Sequence, residues 1–254
     1  KNLITKIVHG VDALKENGGT SKRSSVTCPA CGFTTSRKQV EYQAKQRGFG
    51  FVLFCIALRL PNGKRIYRNP SSVDHSVLEL ANEKLEKWKD KTFFGIPAIP
   101  DEELPYLRSI FNVRVYGIDR WYKLFHKRQL LSALTFTEIV HGIIDKIYLA
   151  NNDSSFALAV SECLALTVSN AFQYQCNIAT YLTEGIKSAF IQGQSLPMKM
   201  DFIEANPLME ELAGGYEYSL RQHLSGLMYC LSYNYKIGNV NQLSALHLNL
   251  PEDS

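Results

Sequence analysis

The sequence predicts an α+β chain in which a small, basic β module precedes a mainly helical region and a C-terminal strand. Three observations support this. An Asn-Gly turn separates two strand-like runs near residue 62, apolar residues recur at helical spacing over residues 127–149, and a short strand-like run lies at residues 239–248. With 45% hydrophobic and 20% charged residues, the composition is that of an ordinary globular protein with one large domain or two small ones.

The β module is assigned to residues 25–70, after a connecting segment at residues 1–24. An apolar run at residues 51–60 is followed by Pro61-Asn62-Gly63 and a second strand-like run. Asn-Gly is the strongest short-range hairpin signal, and both turn positions then need a positive φ. We therefore predict a two-stranded hairpin here.

Residues 71–120 are predicted to hold one helix and a Pro-rich connector. Ser72 or Asp74 is a suitable N-cap for a helix that runs to about Lys89, because its apolar residues fall on one face. Pro97, Pro100 and Pro105 mark the connector that follows.

Residues 121–235 are predicted to be helical. The first helix covers residues 127–149, and the second begins after Asp153 and continues to a break near Gly185 or Gly193. A third helix is predicted at residues 218–233. Residues 236–254 are assigned to a strand and a loop that leads onward.

Neither a membrane span nor a disulfide framework is expected. The most apolar stretch, residues 156–172, carries Glu162 and Asn170, which predicts a buried helix. Of six cysteines only Cys28 and Cys31 are close in sequence. This usage indicates a reducing, cytoplasmic compartment with no membrane partner.

Positive charge is concentrated in the β module. Residues 22–68 contain ten Lys and Arg against Glu41 alone, a net charge of +9. A polyanion partner is one interpretation, and a solvated basic face is an equal alternative. The candidate DNA-binding residues are Lys38, Arg47, Lys64, Arg65 and Arg68.

Residues 28–32, Cys-Pro-Ala-Cys-Gly, form the most specific local motif. Two thiolates on a tight turn suit two of the four positions around Zn²⁺. The chain has no second Cys pair, so we predict half a zinc site whose other ligands lie upstream of Lys1. The alternatives are a structural turn with reduced cysteines and, more weakly, a redox pair.

A second cluster lies in a Pro-flanked loop, where Asp201, Glu204 and Asn206 fall within six residues. These groups suit the orientation of a ligand or a catalytic loop. Capping of the following helix is an equally good interpretation. The chain contains no G-x-G-x-x-G, P-loop or G-x-S-x-G motif.

Four segments together resemble the adenine-specific DNA methylases that contain a zinc ribbon. The first is residues 27–32 (TCPACG), with the basic run that ends at Arg68. The second, residues 116–131 (YGIDRWYKLFHKRQLL), is similar to the family block Y-G-x-x-x-W-x-x-L-F-x-x-R-Q-L. The third, residues 195–207 (SLPMKMDFIEANP), is similar to A-L-P-M-x-W-D-F-x-E-x-N-P. The fourth is residues 244–254 (SALHLNLPEDS).

Two departures from the family pattern lie inside these segments. His126-Lys127 stands where the family has Thr-Pro before Arg-Gln-Leu, and Met200 stands where the family has Trp before Asp-Phe. The first departure replaces a good helix cap and a first-turn proline.

The resemblance implies an internal fragment of a Rossmann-like class I methyltransferase that transfers a methyl group from S-adenosylmethionine to N6 of adenine in double-stranded DNA. The cofactor loop is expected before Lys1 and the D-P-P-Y motif after Ser254, so no catalytic residue is expected in this chain and the chain alone is predicted to be inactive. Arg128, Gln129, Asp201, Glu204 and Asn206 are expected to support the active site.

The same resemblance suggests a restriction-modification or phage-defence system, with other subunits of that system as further candidate partners. Two alternatives stay open: a non-catalytic zinc-ribbon module that binds nucleic acid, and a degenerate methylase homologue.

Overall fold

The computed structural model describes residues 20–22, 25–107, 110–182, 185–188, 190, 195–199 and 202–233. Within these ranges the chain forms five α-helices and four small sheets, a mixed α+β arrangement. All strand pairs in the described ranges are antiparallel. The parallel sheet that a class I methyltransferase needs is therefore not among these pairs, and the predicted strand at 239–248 lies outside the described residues.

The N-terminal module combines a small sheet with a helix. Strands β1 (Ser21–Lys22), β2 (Ser25–Thr27) and β3 (Thr34–Thr35) pair in that order. Helix α1 (Arg37–Arg47) follows directly, with the Ser36 side chain as its N-cap. The predicted β module over residues 25–70 also contains a helix that the sequence analysis did not predict, because α1 occupies eleven of those residues.

The predicted hairpin is present, as β4 (Ile56–Arg59) and β5 (Arg65–Arg68). Its turn differs from the expected one. Gly63 has φ +79° and its N–H donates to the carbonyl of Leu60 at 2.8 Å, whereas Asn62 does not have a positive φ. This is the three-residue loop in which a type I turn is followed by a left-handed glycine, and Pro61 fits it because proline fixes φ near −65°.

The remaining elements occupy the described residues from 72 onward. In chain order they are α2 (Ser72–Glu86), β6 (Thr92–Phe93), β7 (Ile96–Pro97), two 3-10 helices (Asn112–Tyr116 and Trp121–Leu124), α3 (Lys127–Asn151), α4 (Ser154–Phe172), β8 (Thr180–Tyr181), β9 (Ile186–Lys187) and α5 (Tyr216–Leu231). Helices α3 and α5 match their predicted ranges to within two residues at each end.

Two helix predictions need correction. Ser71, not Ser72 or Asp74, is the N-cap of α2, and Asp74 closes a capping box with it. Helix α4 begins after Asp153 as predicted but ends at Phe172, well before the predicted break. Beyond that point the chain turns into the core, where the N–H of Asn177 donates to the carbonyl of Leu124 at 2.7 Å. The chain makes this tertiary contact in place of the hydrogen bonds that would continue the helix.

Three apolar clusters form the core, and Phe125 packs against all of them. One cluster centres on Leu104, Leu124 and Ile178, the second on Trp88 and Leu130, and the third on Val140, Ala171 and Phe172. Phe125 immediately precedes the N-cap of α3, so the start of α3 lies where the clusters meet.

Helix α4 is long and apolar enough to cross a membrane by length and composition alone, and one third of that stretch is buried inside the protein. Core helices of other proteins pass the same test. Here α4 packs against both α3 and α5, with Ala171 and Phe172 fully or nearly fully buried.

Candidate functional site

Cys28 and Cys31 lie on the turn between β2 and β3, so the two thiols are neighbours. The N–H of Cys28 donates to the carbonyl of Phe33 at 2.9 Å, and that of Gly32 to the carbonyl of Cys28 at 2.9 Å. Backbone N–H groups of Ala30 and then Cys31, followed by the Cys31 thiol, donate to the Cys28 sulfur and lower the pKa of that thiol. This turn stabilises a thiolate at Cys28.

The cysteine turn fits half of a tetrahedral zinc site. Both thiols lie on one turn, and the Cys31 side chain is near enough to Cys28 to lower the pKa of that thiol, as expected of two neighbouring ligands of one ion. In the described part of the chain, no third His, Cys, Asp or Glu joins them in a group that suits a metal. A zinc ion held here would therefore need two further ligands from outside the described residues.

Two of the five candidate DNA-binding residues make contacts within the protein. Arg65 donates to the carbonyl of Leu182 at 3.0 Å and stacks its guanidinium 4.9 Å from the centre of the Tyr181 ring. Arg68 makes a two-pronged pair with Asp74, at 2.7 and 3.0 Å. The Arg68 guanidinium, then the hydroxyl and N–H of Ser71, hold the pKa of the Asp74 carboxyl well below its ordinary value.

The other three, Lys38, Arg47 and Lys64, are exposed. Among the described residues, no carboxylate lies within ion-pair distance of these three cations. Lys38 and Arg47 are on α1, and Lys64 is next to the hairpin turn. The structure thus leaves the positive charge of α1 available for a partner.

Helix α1 is the functional candidate that the sequence analysis missed. The spacing of apolar residues does not reveal this helix, because Ala44 is its only buried residue and no apolar stripe runs along it. The usable signal was chemical: Ser36 is a good N-cap, and the eleven residues after it are mostly strong helix formers. Gly117 in the second resemblance segment then packs against the backbone of Ala44.

Arg128 and Glu204 form an ion pair that joins two of the resemblance segments. Nη2 of Arg128 lies 2.7 Å from Oε2 of Glu204, and Nε donates to Oε1. The side chains are 27% and 19% exposed, respectively. Arg128 is in the first turn of α3, so the pair fixes the loop around Glu204 against the start of that helix.

Phe51 packs against two rings that lie close in the chain to this pair, two residues before Arg128 and two residues before Glu204. His126, the N-cap of α3, lies beside Phe51, with ring centres 4.8 Å apart, and Phe51 also contacts Phe202 at 5.8 Å. Burial lowers the pKa of His126; Arg128 and Lys127 lower it further, and Glu204 opposes them. Phe51 thereby connects the basic module to the second and third resemblance segments.

The remaining predicted support residues have local roles where the structure describes them. Gln129 is 1% exposed, and its Oε1 accepts the N–H of His126 at 2.8 Å, which closes the capping box of α3. Asn206 accepts the N–H of Leu208 at 3.0 Å, a local turn contact. Asp201 lies outside the described residues, as does the fourth resemblance segment, residues 244–254.

The described residues also contain an open cavity of about 500 Å³ near the start of α3. It is lined by Phe125, Ser169, Asn170, Phe172, Gln173 and Phe190. It contains none of the predicted site residues.

Comparison with protein-family models, with curated proteins and with solved structures finds no match to this chain.

Proposed function

We propose that this chain is part of an S-adenosylmethionine-dependent methyltransferase that acts on adenine N6 in duplex DNA, in a cytoplasmic restriction-modification or phage-defence system. The observation that carries the proposal is the Arg128–Glu204 pair. Arg128 belongs to the second resemblance segment and Glu204 to the third, 76 residues later. Their contact supports the resemblance because two segments selected by sequence alone meet through their charged residues.

The pair suits a supporting role and not a chemical one. An arginine and a carboxylate that satisfy each other's hydrogen bonds hold a loop in place, and neither is then free to transfer a proton. Gln129 and Asn206 fix the start of α3 and the turn after the loop in the same way. In the proposed enzyme these residues position the segment around residues 202–206 beside the catalytic machinery.

The groups that carry the reaction lie outside this chain in the proposed enzyme. S-adenosylmethionine would supply the methyl group, and Cys28 and Cys31 would supply two of four zinc ligands. The chain itself contributes exposed positive charge on α1 for the DNA backbone.

The test is transfer of a labelled methyl group to duplex DNA by the intact protein encoded by the gene that contains this chain. We expect labelled N6-methyladenine, and we expect none from the 254-residue chain alone. Glu204→Gln is expected to reduce transfer at least tenfold, whereas Glu210→Gln, an exposed neighbour, leaves it unchanged. Methyl transfer by the chain alone, or no transfer by the intact protein, contradicts the proposal.

A second candidate function is a nucleic-acid-binding module without chemistry, either free-standing or in a degenerate methylase homologue. The exposed Lys38 and Arg47 on α1, which have no carboxylate partner among the described residues, favour it independently of the resemblance. It predicts that the intact protein binds DNA but transfers no methyl group. The coding sequence on either side separates the two candidates directly, because only an enzyme needs a glycine-rich loop upstream and D-P-P-Y within roughly ten residues downstream.

A further inference from the structure

The outward face of α1 has an unusual composition for a surface helix. Two parallel stripes run along it at helical spacing: Lys38, Tyr42 and Lys45, and beside them Gln39, Gln43 and Gln46. All six side chains are exposed, and Tyr42 is 60% exposed. No carboxylate belongs to either stripe.

The single acidic residue of α1, Glu41, is neutralised by an arginine on the same helix. Glu41 is partly buried and accepts from Nε of Arg37 at 2.6 Å. The face therefore combines three amides, each offering donors and an acceptor, with two cations, Lys38 and Lys45, that form no ion pair within the described part of the chain. An ordinary solvated helix of this length gains stability from alternating charge pairs at i,i+4, and this face has none.

Helix α1 is also held as a rigid element. Its inner side packs on β2 and on the first 3-10 helix. A Cβ built on Gly117 would lie only 2.9 Å from the carbonyl oxygen of Ala44, so that glycine brings the two backbones into contact. The outward face is thus presented at a fixed angle by the rest of the protein.

We propose that α1 binds in the major groove of duplex DNA, with Gln39, Gln43 and Gln46 contacting base edges and Lys38 and Lys45 contacting phosphates. The major groove, about 12 Å wide, accepts an α-helix, and glutamine makes paired hydrogen bonds with adenine N6 and N7. Lysines on the neighbouring stripe supply the sequence-independent part of binding. This inference rests on the proposed function in taking duplex DNA as the ligand, and it adds how the sequence is selected.

The experiment selects preferred sites for the full 254-residue chain from a pool of random duplexes and compares variants. Gln43→Ala is expected to lose discrimination at one or two base pairs by roughly 5- to 150-fold, the loss of a good paired contact. Lys45→Ala is expected to weaken binding to all sequences alike and to reduce the salt slope by about 1. Both substitutions favour helix, so the fold is retained, as circular dichroism will show.

Matched controls are Gln222→Ala on α5 and Lys146→Ala on α3, which are exposed helical residues elsewhere. Neither is expected to change site preference or salt slope. The inference is overturned if Gln39→Ala, Gln43→Ala and Gln46→Ala all leave the preferred sequence unchanged. It is also overturned if single-stranded DNA binds as tightly as duplex.

The same variants in the intact protein separate this inference from the proposed function. If methyl transfer continues in an unchanged sequence context with all three glutamines replaced, the enzyme assignment stands and the groove assignment fails. If the chain selects a sequence through α1 but the intact protein transfers no methyl group, the groove assignment stands and the enzyme assignment fails.

Discussion

The guanidinium of Arg128 meets the carboxylate of Glu204 through two hydrogen bonds, with Nη2 and Oε2 2.7 Å apart. The bond from Nη2 is accompanied by a second one from Nε, a geometry that only arginine provides. Because both side chains are less than one third exposed, solvent screens the pair only partly. The loop around Glu204 therefore depends on Arg128 for its position.

Arg128→Ala is expected to lower the free energy of unfolding by about 1–3 kcal/mol, since Glu204 is left partly buried without its partner. Urea denaturation measures the change. The double substitution Arg128→Met with Glu204→Met should recover much of the loss, because no charge is then left unpaired. Lys89→Ala breaks an exposed pair with Glu86 and should cost less than about 0.5 kcal/mol. Equal effects of Arg128→Ala and Lys89→Ala would show that the Arg128 pair is no stronger than a surface pair.

Gly117→Ala is expected to destabilise the protein by at least about 2 kcal/mol. Gly117 has φ +85°, and its new Cβ would meet the backbone of Ala44 on α1 at 2.9 Å. Backbone does not move aside as the end of a side chain does, so α1 must shift. Hydrogen exchange at the Ala44 amide reports that shift directly.

The matched control for Gly117 is Gly142, which lies inside α3 with open space around a built Cβ. Gly142→Ala should stabilise the protein by roughly 0.5–1 kcal/mol, because alanine is the better helix former. If both glycine substitutions change stability in the same direction, the close packing of α1 on Gly117 does not matter for folding.

Local signals in the sequence predicted some elements well and missed others for identifiable reasons. Helix α3 was predictable because its apolar residues recur along 25 residues. Apolar periodicity did not reveal helix α1, because Ala44 is its single buried residue; only the N-cap at Ser36 and the helix-forming residues after it indicate this helix. The end of α4 at Phe172 was also beyond reach, since the contact of Asn177 with Leu124 that stops the helix joins positions more than fifty residues apart.

The local contacts of the candidate site could be predicted from the sequence, whereas its long-range contacts could not. Cys28 and Cys31 lie on one turn, so their spacing in the sequence was enough to predict that the two thiols are neighbours. The contact between Arg128 and Glu204 joins residues 76 positions apart, so their positions in the sequence could not predict it. Conversely, Arg65 was assigned to DNA from its charge, because its partner Leu182 lies far along the chain.

Arg65→Ala and Lys64→Ala remove the same charge from neighbouring positions and should differ in effect. Arg65 stacks on Tyr181 and donates to the carbonyl of Leu182, so its loss should cost about 1 kcal/mol of stability. Lys64→Ala should change stability by less than about 0.5 kcal/mol but weaken DNA binding more than Arg65→Ala does. Thermal unfolding and DNA titration measure the two effects. Equal stability of the two variants would mean that Arg65 is free to bind phosphate.

His126 is expected to make stability depend on pH. Burial lowers its pKa below the ordinary value of 6.5, so the unfolded chain takes up a proton before the folded protein does as pH falls. The stabilising contribution is therefore complete above about pH 6.5 and decreases below it. Protonation also removes the Nδ1 acceptor that receives the N–H of Arg128. Urea denaturation between about pH 5 and 7.5 measures the slope.

Two histidine variants test the source of that slope. His126→Asn keeps a good helix cap without a titrating group, so it should flatten the dependence on pH. His75→Asn, at an exposed position of α2, should leave the slope as it is. An unchanged slope in His126→Asn would assign the pH dependence to other groups.

The last prediction concerns zinc at the cysteine turn. The Cys28 sulfur already accepts N–H groups from Ala30 and Cys31, an arrangement that favours the thiolate a metal requires. We expect about one zinc per chain in the intact protein, measured by elemental analysis after dialysis. Cys31→Ser should release it, because a four-ligand site that has lost a thiolate binds zinc far more weakly.

Cys55→Ser is the control, because burial raises the pKa of the Cys55 thiol and disfavours the thiolate form. Zinc that remains stoichiometric in Cys31→Ser would place the metal elsewhere and leave Cys28 and Cys31 as a structural turn.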